Sequence, residues 1–197
     1  MKYRPTPTGG KLAAFSASQS RGATRSHCSD GGSSERPVQA TASVASSNAI
    51  GGVAVIDYHT GLGPYGYGER IVTHPAGSAG FARARQWYGD NITSTSLGTS
   101  RSSEVTGDLM LGLEEALPEA EVTTMALEYG VRPLQETIDA VRADNWLHTR
   151  GRLDTPQGRD IKAMMRATFY GDADDWKDMI FEQAIDAQRR ALRGFTG

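Results

Sequence analysis

The chain has few of the residues that form disulfides, metal cages or membrane spans. Its one cysteine, Cys28, excludes an internal disulfide and a cysteine-rich zinc site. A metal would therefore need histidine and carboxylate ligands, and the histidines available are His27, His59, His74 and His148. No apolar run approaches the roughly 18 residues that cross a bilayer, and no hydrophobic segment typical of a signal peptide follows the first basic residues. We therefore expect a cytoplasmic protein without a membrane partner.

The chain also lacks an excess of charge of either sign. It has 21 lysines and arginines against 23 aspartates and glutamates. A balanced surface produces no large electrostatic field, so nucleic acid is not an expected partner. The length of 197 residues is that of one ordinary domain, or of one core with a tail.

Acidic and aromatic side chains are scarce in residues 1–48, which are crowded with Ser, Thr, Gly, Ala and Arg. The few present are Asp30, Glu35, Tyr3 and Phe15. Such a segment buries too little apolar surface to offset its ordering entropy, so we predict a disordered or loosely attached tail. The bias toward Arg and Ser also fits an organelle transit peptide, although a bland linker is the favoured interpretation. Residues 49–197 are expected to form the folded part.

From Ile50 onward the sequence alternates between strand and helix patterns. Short apolar runs predict strands at 53–56, 71–73 and 122–129. Helical spacing of apolar residues predicts helices at 81–88, 108–117, 160–170 and 174–192, with another between Pro133 and Gly151. This order predicts an α/β fold with a largely parallel sheet.

Asp57 and His59 are the first candidate site residues. They follow the apolar run Val53–Ile56 and are two positions apart, so on a strand both side chains point to the same face. In open α/β sheets, ligands bind beyond the carboxyl ends of the strands. The pattern predicts a metal-binding imidazole at His59 with Asp57 as an orienting carboxylate. The alternative is a hydrogen-bonded histidine at a strand end.

A glycine-rich segment, residues 61–68, comes directly after His59. Glycines allow tight turns and close backbone approach, and Tyr65, Tyr67 and Glu69 are expected to place polar groups at the rim of the site. A phosphate-binding loop is a rival interpretation. The segment lacks both the Lys-Ser/Thr pair and the dinucleotide spacing that such loops need, so a nucleotide-binding function is disfavoured.

Glu128 is the second candidate. It stands at the end of the apolar strand 122–127, where desolvation should raise the pKa of its carboxyl and suit it to general base work on a metal-bound water. The alternative is a carboxylate paired with Arg132 or Arg142.

Three segments resemble consecutive blocks of a bacterial domain of unknown function related to zinc carboxypeptidases and to succinylglutamate desuccinylase and aspartoacylase. The segments are Ile56-Asp57-Tyr58-His59-Thr60-Gly61-Leu62-Gly63-Pro64-Tyr65-Gly66, Ala126-Leu127-Glu128-Tyr129-Gly130 and Arg142-Ala143-Asp144-Asn145-Trp146-Leu147-His148. The resemblance runs from about Ile50 to Phe195.

This resemblance implies a three-layer α/β/α fold with a mixed sheet. It also implies that His59 is the later histidine ligand of a catalytic zinc and that Glu128 activates the zinc-bound water. The substrate would be a peptide or an N-acyl amino acid. Asp57, Glu69 and Arg142 are expected to support the site or bind substrate, with a surface ion pair as the alternative for Arg142.

The family's His-x-x-Glu zinc motif does not occur in the chain. The nearest imitation is Ser26-His27-Cys28-Ser29-Asp30-Gly31, which stands too close to His59 for the intervening strands of the family. His74 and His148 are expected to be surface or hydrogen-bonded histidines rather than ligands. We therefore expect one of the three zinc ligands, His59, in what would be the C-terminal part of the family domain, with an unpaired sheet edge and an exposed apolar face.

Two hypotheses follow from the sequence. The first is a zinc-dependent, carboxypeptidase-like amide hydrolase, truncated and lacking the His-x-x-Glu half of its metal site. The second is a non-catalytic remnant or interaction module that keeps the fold without metal.

Overall fold

A computed structural model describes residues 51–105 and 107–196 of the chain. Four strands form one sheet: β1 (Gly52–Tyr65), β2 (Gly68–Val72), β3 (Ile92–Ser94) and β4 (Glu121–Gly130). Five helices accompany it: α1 (Ala79–Tyr88), α2 (Leu109–Ala116), α3 (Leu134–Thr149), α4 (Pro156–Phe169) and α5 (Asp174–Thr196). The predicted tail at 1–48 and the Ser26–Gly31 segment lie outside the described residues.

The sheet is mixed, as the family resemblance implied. Its strand order is β1-β4-β2-β3. Strands β1 and β4 run parallel, as do β2 and β3, whereas β2 and β4 run antiparallel. This arrangement places β4 in the centre, between the strand that carries His59 and the strand that carries Glu69.

Side chains along β4 alternate between two helix-covered faces. Met125, Leu127 and Tyr129 point into the main core, which α1 and α5 close with Tyr88 and Trp176 among others. Each fully buried large apolar side chain stabilises the fold by about 1.5–3 kcal/mol. On the opposite face, Ala126 packs with Ile71 and with Met110 of α2. The sheet therefore has helices on both sides, and the candidate residues occupy the face with the smaller core.

The helices confirm the predicted α/β alternation. Ser78, Asp108 and Thr155 cap α1, α2 and α4 by accepting a hydrogen bond from a backbone N–H in the first turn. Pro156 at the start of α4 also favours a helix beginning there, because its missing N–H would have no partner within the first turn. Three of the helices predicted from apolar spacing are thus also fixed at their first turn by a capping side chain.

Two strand predictions were wrong. The first strand does not end at Ile56, because β1 stays in register with β4 through the pair Thr60 and Tyr129. His59 therefore lies within a paired strand rather than at the end of one. Strand β3 was missed, since Ile92–Ser94 is only 3 residues long and too short to show an alternating pattern.

Strand β1 forms one edge of the sheet in the described part of the chain, where it pairs with β4 alone. Nearby, α3 exposes an apolar stripe made of Leu134, Ile138 and Val141. The expectation that these features arise from a truncated domain stays a prediction. Among the described helices, none is both long enough and apolar enough to cross a bilayer.

Candidate functional site

His59, Glu128 and Glu69 lie side by side across three neighbouring strands. His59 of β1 is in register with Glu128 of β4, and Glu128 is in register with Glu69 of β2. Residues in register point to the same face of a sheet, and directly opposite Cβ atoms on antiparallel strands are about 4.5–5.5 Å apart. The sheet therefore brings His59 and Glu128, the two main candidates from the sequence, together with Glu69, a third candidate.

Asp57 and His59 point together, as predicted from their spacing. The Nε2 atom of His59 lies 2.7 Å from Oδ2 of Asp57. A carboxylate can only accept a hydrogen bond, so Nε2 carries the proton and Nδ1 keeps its lone pair in the neutral imidazole. The His59 side chain is 44% exposed and that of Asp57 is 17% exposed. Nδ1 is thus the ring atom left for a ligand, which is the usual arrangement of a metal-binding histidine oriented by a carboxylate.

The glycine-rich segment after His59 interrupts the pairing of β1 with β4. Register jumps between Thr60 and Tyr65, and Gly61 and Gly63 have φ values of 133° and 99° that other residues rarely adopt. The resulting bulge turns the backbone N–H of Leu62 toward Glu128, whose Oε1 accepts its hydrogen bond at 3.0 Å. The close backbone approach that was predicted for this segment therefore forms a hydrogen bond with the carboxylate of Glu128 in the same chain.

Two hydroxyl groups fix this bulge to the helices behind it. Thr60 Oγ1 donates to the carbonyl oxygen of Phe169 at the end of α4, at 2.7 Å. Thr137 Oγ1 of α3 donates to the carbonyl oxygen of Gly61 at 3.1 Å. The backbone donor on Glu128 is therefore held in place from both α3 and α4.

Glu128 is 8% exposed, and burial raises the pKa of its carboxyl above the ordinary value of 4.5. The hydrogen bond from Leu62 and the nearby His59 lower this pKa, whereas the carboxylates of Glu69 and Asp57 raise it. The direction agrees with the prediction of a desolvated carboxyl. No ion pair joins Glu128 to an arginine anywhere in residues 51–105 and 107–196, which removes the alternative interpretation there.

Glu69 was expected at the rim, and that expectation was wrong. It is 1% exposed, while Tyr65 and Tyr67 are 46% and 47% exposed. Its Oε1 accepts hydrogen bonds from Thr93 Oγ1 at 2.8 Å and from the backbone N–H of Arg101 at 3.0 Å. Burial alone raises the pKa of Glu69, but these hydrogen bonds, with others from Ser100 and the Arg101 guanidinium, lower it below its ordinary value. Glu69 is therefore a buried carboxylate that stays ionised.

The family can now be assigned. A family model described as a protein of unknown function, DUF2817, matches residues 31–183. The chain belongs to the DUF2817 family. The resemblance suggested a segment from about Ile50 to Phe195. The matched range starts earlier than that segment and also ends earlier. No curated protein and no solved structure matches the chain.

Arg142, the predicted substrate-binding arginine of this DUF2817 chain, is exposed on α3. Within the described residues it takes part in no ion pair, so the alternative of a surface pair gains no support there. It also has no contact with Asp57, His59 or Glu128 among the hydrogen bonds and ion pairs of that part of the chain. Its predicted role remains a prediction.

The other two described histidines of the DUF2817 chain have partners away from the site. His74 is buried, with Nδ1 2.7 Å from Oε1 of Glu114 and Nε2 accepting from the backbone N–H of Thr124 at 2.9 Å. His148 is half-exposed, and its Nε2 lies 2.7 Å from the ammonium nitrogen of Lys162. Both fit the expectation of hydrogen-bonded histidines.

Sequence reasoning missed Thr93, Ser100 and Arg101, the residues that hold Glu69. Thr93 belongs to β3, and Arg101 belongs to the irregular segment after it. One usable signal was present, since the β-branched pair Ile92-Thr93 follows the turn-forming residues Gly89-Asp90-Asn91. Nothing in the sequence, however, connects any of these residues with Glu69.

Proposed function

We propose that this DUF2817 protein carries the water-activating part of a zinc-dependent, carboxypeptidase-like amide hydrolase. The observation that supports it best is the register of His59 with Glu128 on neighbouring parallel strands. An imidazole with one free nitrogen and a desolvated carboxyl thereby lie on one face, near the carboxyl end of β4 and just before the bulge of β1. This is the end of an α/β sheet at which ligands commonly bind.

In this proposal Glu128 is the general base. Oε1 is occupied by the N–H of Leu62, and Oε2 is left to accept a proton from water. A raised pKa lies closer to neutral pH. The carboxyl can then both accept a proton and release it later without a large free-energy cost for either step. Glu128 would take the proton from the attacking water and deliver it to the leaving amine of the substrate, a peptide or an N-acyl amino acid.

His59 is the proposed metal ligand, through Nδ1. A catalytic zinc site normally needs three protein ligands and one open position. The described residues contain no group of three or more His, Cys, Asp or Glu side chains that could hold a metal ion. They do not suffice to hold zinc, so the further ligands that this proposal requires would have to come from outside them.

The same observation favours a second candidate function. A chain that keeps the sheet and the Asp57–His59 pair but binds no metal would be a non-catalytic module of the same fold. The two candidates differ in zinc content and in turnover, so one set of variants distinguishes them.

The test compares wild type with His59→Ala, Glu128→Gln and the control His148→Ala, which removes an exposed imidazole paired with Lys162 on the α3–α4 surface. Each protein is supplied with zinc, and metal content and hydrolysis of a peptide and N-acyl amino acid panel are measured. The hydrolase proposal expects His59→Ala to lose zinc and activity. Glu128→Gln should keep zinc but lose at least about 100-fold in rate, the usual contribution of a general base, while the control should match wild type.

A zinc content near zero in wild type that His59→Ala leaves unchanged would reject the metalloenzyme in favour of the non-catalytic module. Equal activity in wild type and Glu128→Gln would reject Glu128 as the base.

A further inference from the structure

A cavity of about 480 Å³ lies beyond the carboxyl end of the central strand β4. Its walls come from Tyr65 at the end of β1, from Val131 and Arg132 directly after β4, and from α4 and the segment that connects α4 to α5. Cavities of this size hold small organic molecules, and ligands of α/β proteins commonly bind at this end of the sheet. None of the residues of the proposed zinc site lines it, so the cavity is a separate feature of the protein.

Two arginines from different parts of the chain line this cavity. Arg132 follows β4, and Arg166 belongs to the last turn of α4. The Nε atom of Arg132 donates to the carbonyl oxygen of Ala167, the residue next to Arg166, at 3.4 Å. The Arg166 guanidinium lies over the ring of Tyr170, with its Cζ atom 5.2 Å from the ring centroid, and the ring attracts the cation. Both guanidinium groups are therefore held at the same end of α4.

The contacts of these two arginines leave most of their N–H donors unused. A guanidinium has five such donors. Ala167 accepts from one donor of Arg132, and neither Arg132 nor Arg166 takes part in an ion pair within residues 51–105 and 107–196. Two cations that line one cavity also repel each other, and an anion between them removes that repulsion. The arrangement therefore fits a negatively charged acceptor, which forms the strongest hydrogen bonds with guanidinium groups.

The carboxylates near the cavity already have partners. Asp172 lines it, and its Oδ1 lies 2.9 Å from Nζ of Lys177. The pKa of Asp172 is lowered chiefly by Lys177 and to a smaller extent by the charge of Arg166. Asp175 accepts a hydrogen bond from the Tyr65 hydroxyl at 3.1 Å. The acceptor that fits the two arginines is therefore one from outside the described chain.

The rest of the lining includes a wall of small apolar side chains, those of Val131, Ala163, Ala167 and Ala173. Next to it, Gly171 packs so closely on Trp176 that a Cβ atom on Gly171 would overlap the indole. The indole is in turn fixed by its 2.9 Å hydrogen bond to the carbonyl oxygen of Gly130. Apolar atoms of a ligand that are buried against such a preformed wall add to its affinity.

We propose that this cavity is a binding site for a small organic carboxylate. The carboxylate lies between Arg132 and Arg166, whose planar forks match its two oxygens, and the apolar body of the ligand packs against the alanine-lined wall. That wall distinguishes such a ligand from inorganic phosphate, which has no apolar body. The proposal requires neither zinc nor a general base, so its failure and that of the proposed hydrolase are distinguishable.

The experiment titrates the folded full chain with benzoate and follows the N–H signals by NMR. Trp176 is a reporter, since its ring packs on Gly171 and lies edge-on to Tyr170 with 6.0 Å between the ring centroids. We expect benzoate to shift the signals of Trp176 and of residues 170–173 saturably. Benzamide, which has the same shape without the charge, and inorganic phosphate should each bind at least about 10-fold more weakly, because hydrogen bonds to a charged group or apolar contacts are lost.

Three variants locate the interaction. Arg132→Gln and Arg166→Gln each remove one guanidinium from an exposed residue, so both proteins should fold. Each should weaken benzoate binding by at least about 10-fold. The control Arg189→Gln removes an exposed arginine of α5 that does not line the cavity, and its affinity should equal that of wild type.

Each other outcome overturns the proposal. The first is a wild-type chain in which benzoate shifts none of the cavity signals. The second is benzamide or phosphate binding as tightly as benzoate, since the site would then not select an organic carboxylate. The third is benzoate affinity that is unchanged in the Arg132 and Arg166 variants, or that falls equally in Arg189→Gln.

Discussion

Replacing Glu128 with glutamine should stabilise the fold at neutral pH while removing the proposed general base. The glutamine amide has nearly the same shape, and its oxygen can still accept the hydrogen bond from Leu62. What changes is the charge, which is buried at 8% exposure beside Glu69. A residue kept for catalysis at a cost in stability should show this behaviour.

The size of the effect comes from three contributions. The like-charge pair with Glu69 costs about 0.2–1 kcal/mol, and the substitution removes it. A hydrogen bond to a charged acceptor is about twice as strong as a neutral one, so the bond from Leu62 weakens by about 1 kcal/mol. Keeping a charge on a buried carboxyl costs several kcal/mol even after relaxation, and this exceeds the loss. The net gain is then at least about 1 kcal/mol, and each kcal/mol raises Tm by about 2–4 °C for a chain of this size.

The gain must also depend on pH. Burial raises the pKa of Glu128 in the folded state above the ordinary value of 4.5, so between these two values the folded state binds more protons than the unfolded state. Stability of wild type relative to Glu128→Gln is therefore greatest below pH 4.5 and is lost as the pH rises through the folded pKa. The advantage of the variant should be full at about pH 8 and should vanish in acid.

Urea unfolding followed by circular dichroism, at a series of pH values, measures the free energy of unfolding of both proteins. Glu69→Gln serves as the contrasting variant, because hydrogen bonds lower the pKa of Glu69 and its charge stabilises the fold above 4.5. That variant should lose about 1–3 kcal/mol near neutral pH. A Glu128→Gln protein that is less stable than wild type at about pH 8, or a difference that does not change with pH, would refute the reasoning.

Two further substitutions test how the end of β4 is held. A Cβ on Gly130 would overlap the carbonyl oxygens of Gly63 and Pro64, so Gly130→Ala should cost at least about 2 kcal/mol in urea unfolding. The control Gly112→Ala meets nothing within 4 Å on a helix and should change stability by less than about 1 kcal/mol, in the stabilising direction; equal effects would contradict the close packing. Trp176→Phe removes the 2.9 Å hydrogen bond from Nε1 to the carbonyl oxygen of Gly130 and opens a gap in the core, with an expected loss of about 2–4 kcal/mol. A loss below about 0.5 kcal/mol would show that the core closes over the gap.

The sequence by itself determined the local structure and part of the site. The helical spacing of apolar residues located all five described helices, because this signal lies within a few turns of chain. The two-residue spacing of Asp57 and His59 predicted their shared face, since strand alternation is a local property. The apolar run before Glu128 predicted its desolvation for the same reason.

Only the tertiary structure decided which of these residues meet. The register of His59 with Glu128 depends on parallel pairing between strands that are far apart in sequence, and no local pattern encodes that pairing. The same is true of Glu69. Its position after the glycine-rich segment predicted an exposed carboxylate, whereas in the structure Glu69 is buried and accepts hydrogen bonds from Thr93 and Arg101. The burial of Glu69, and the charges that face each carboxyl, are properties of the assembled sheet rather than of any one segment.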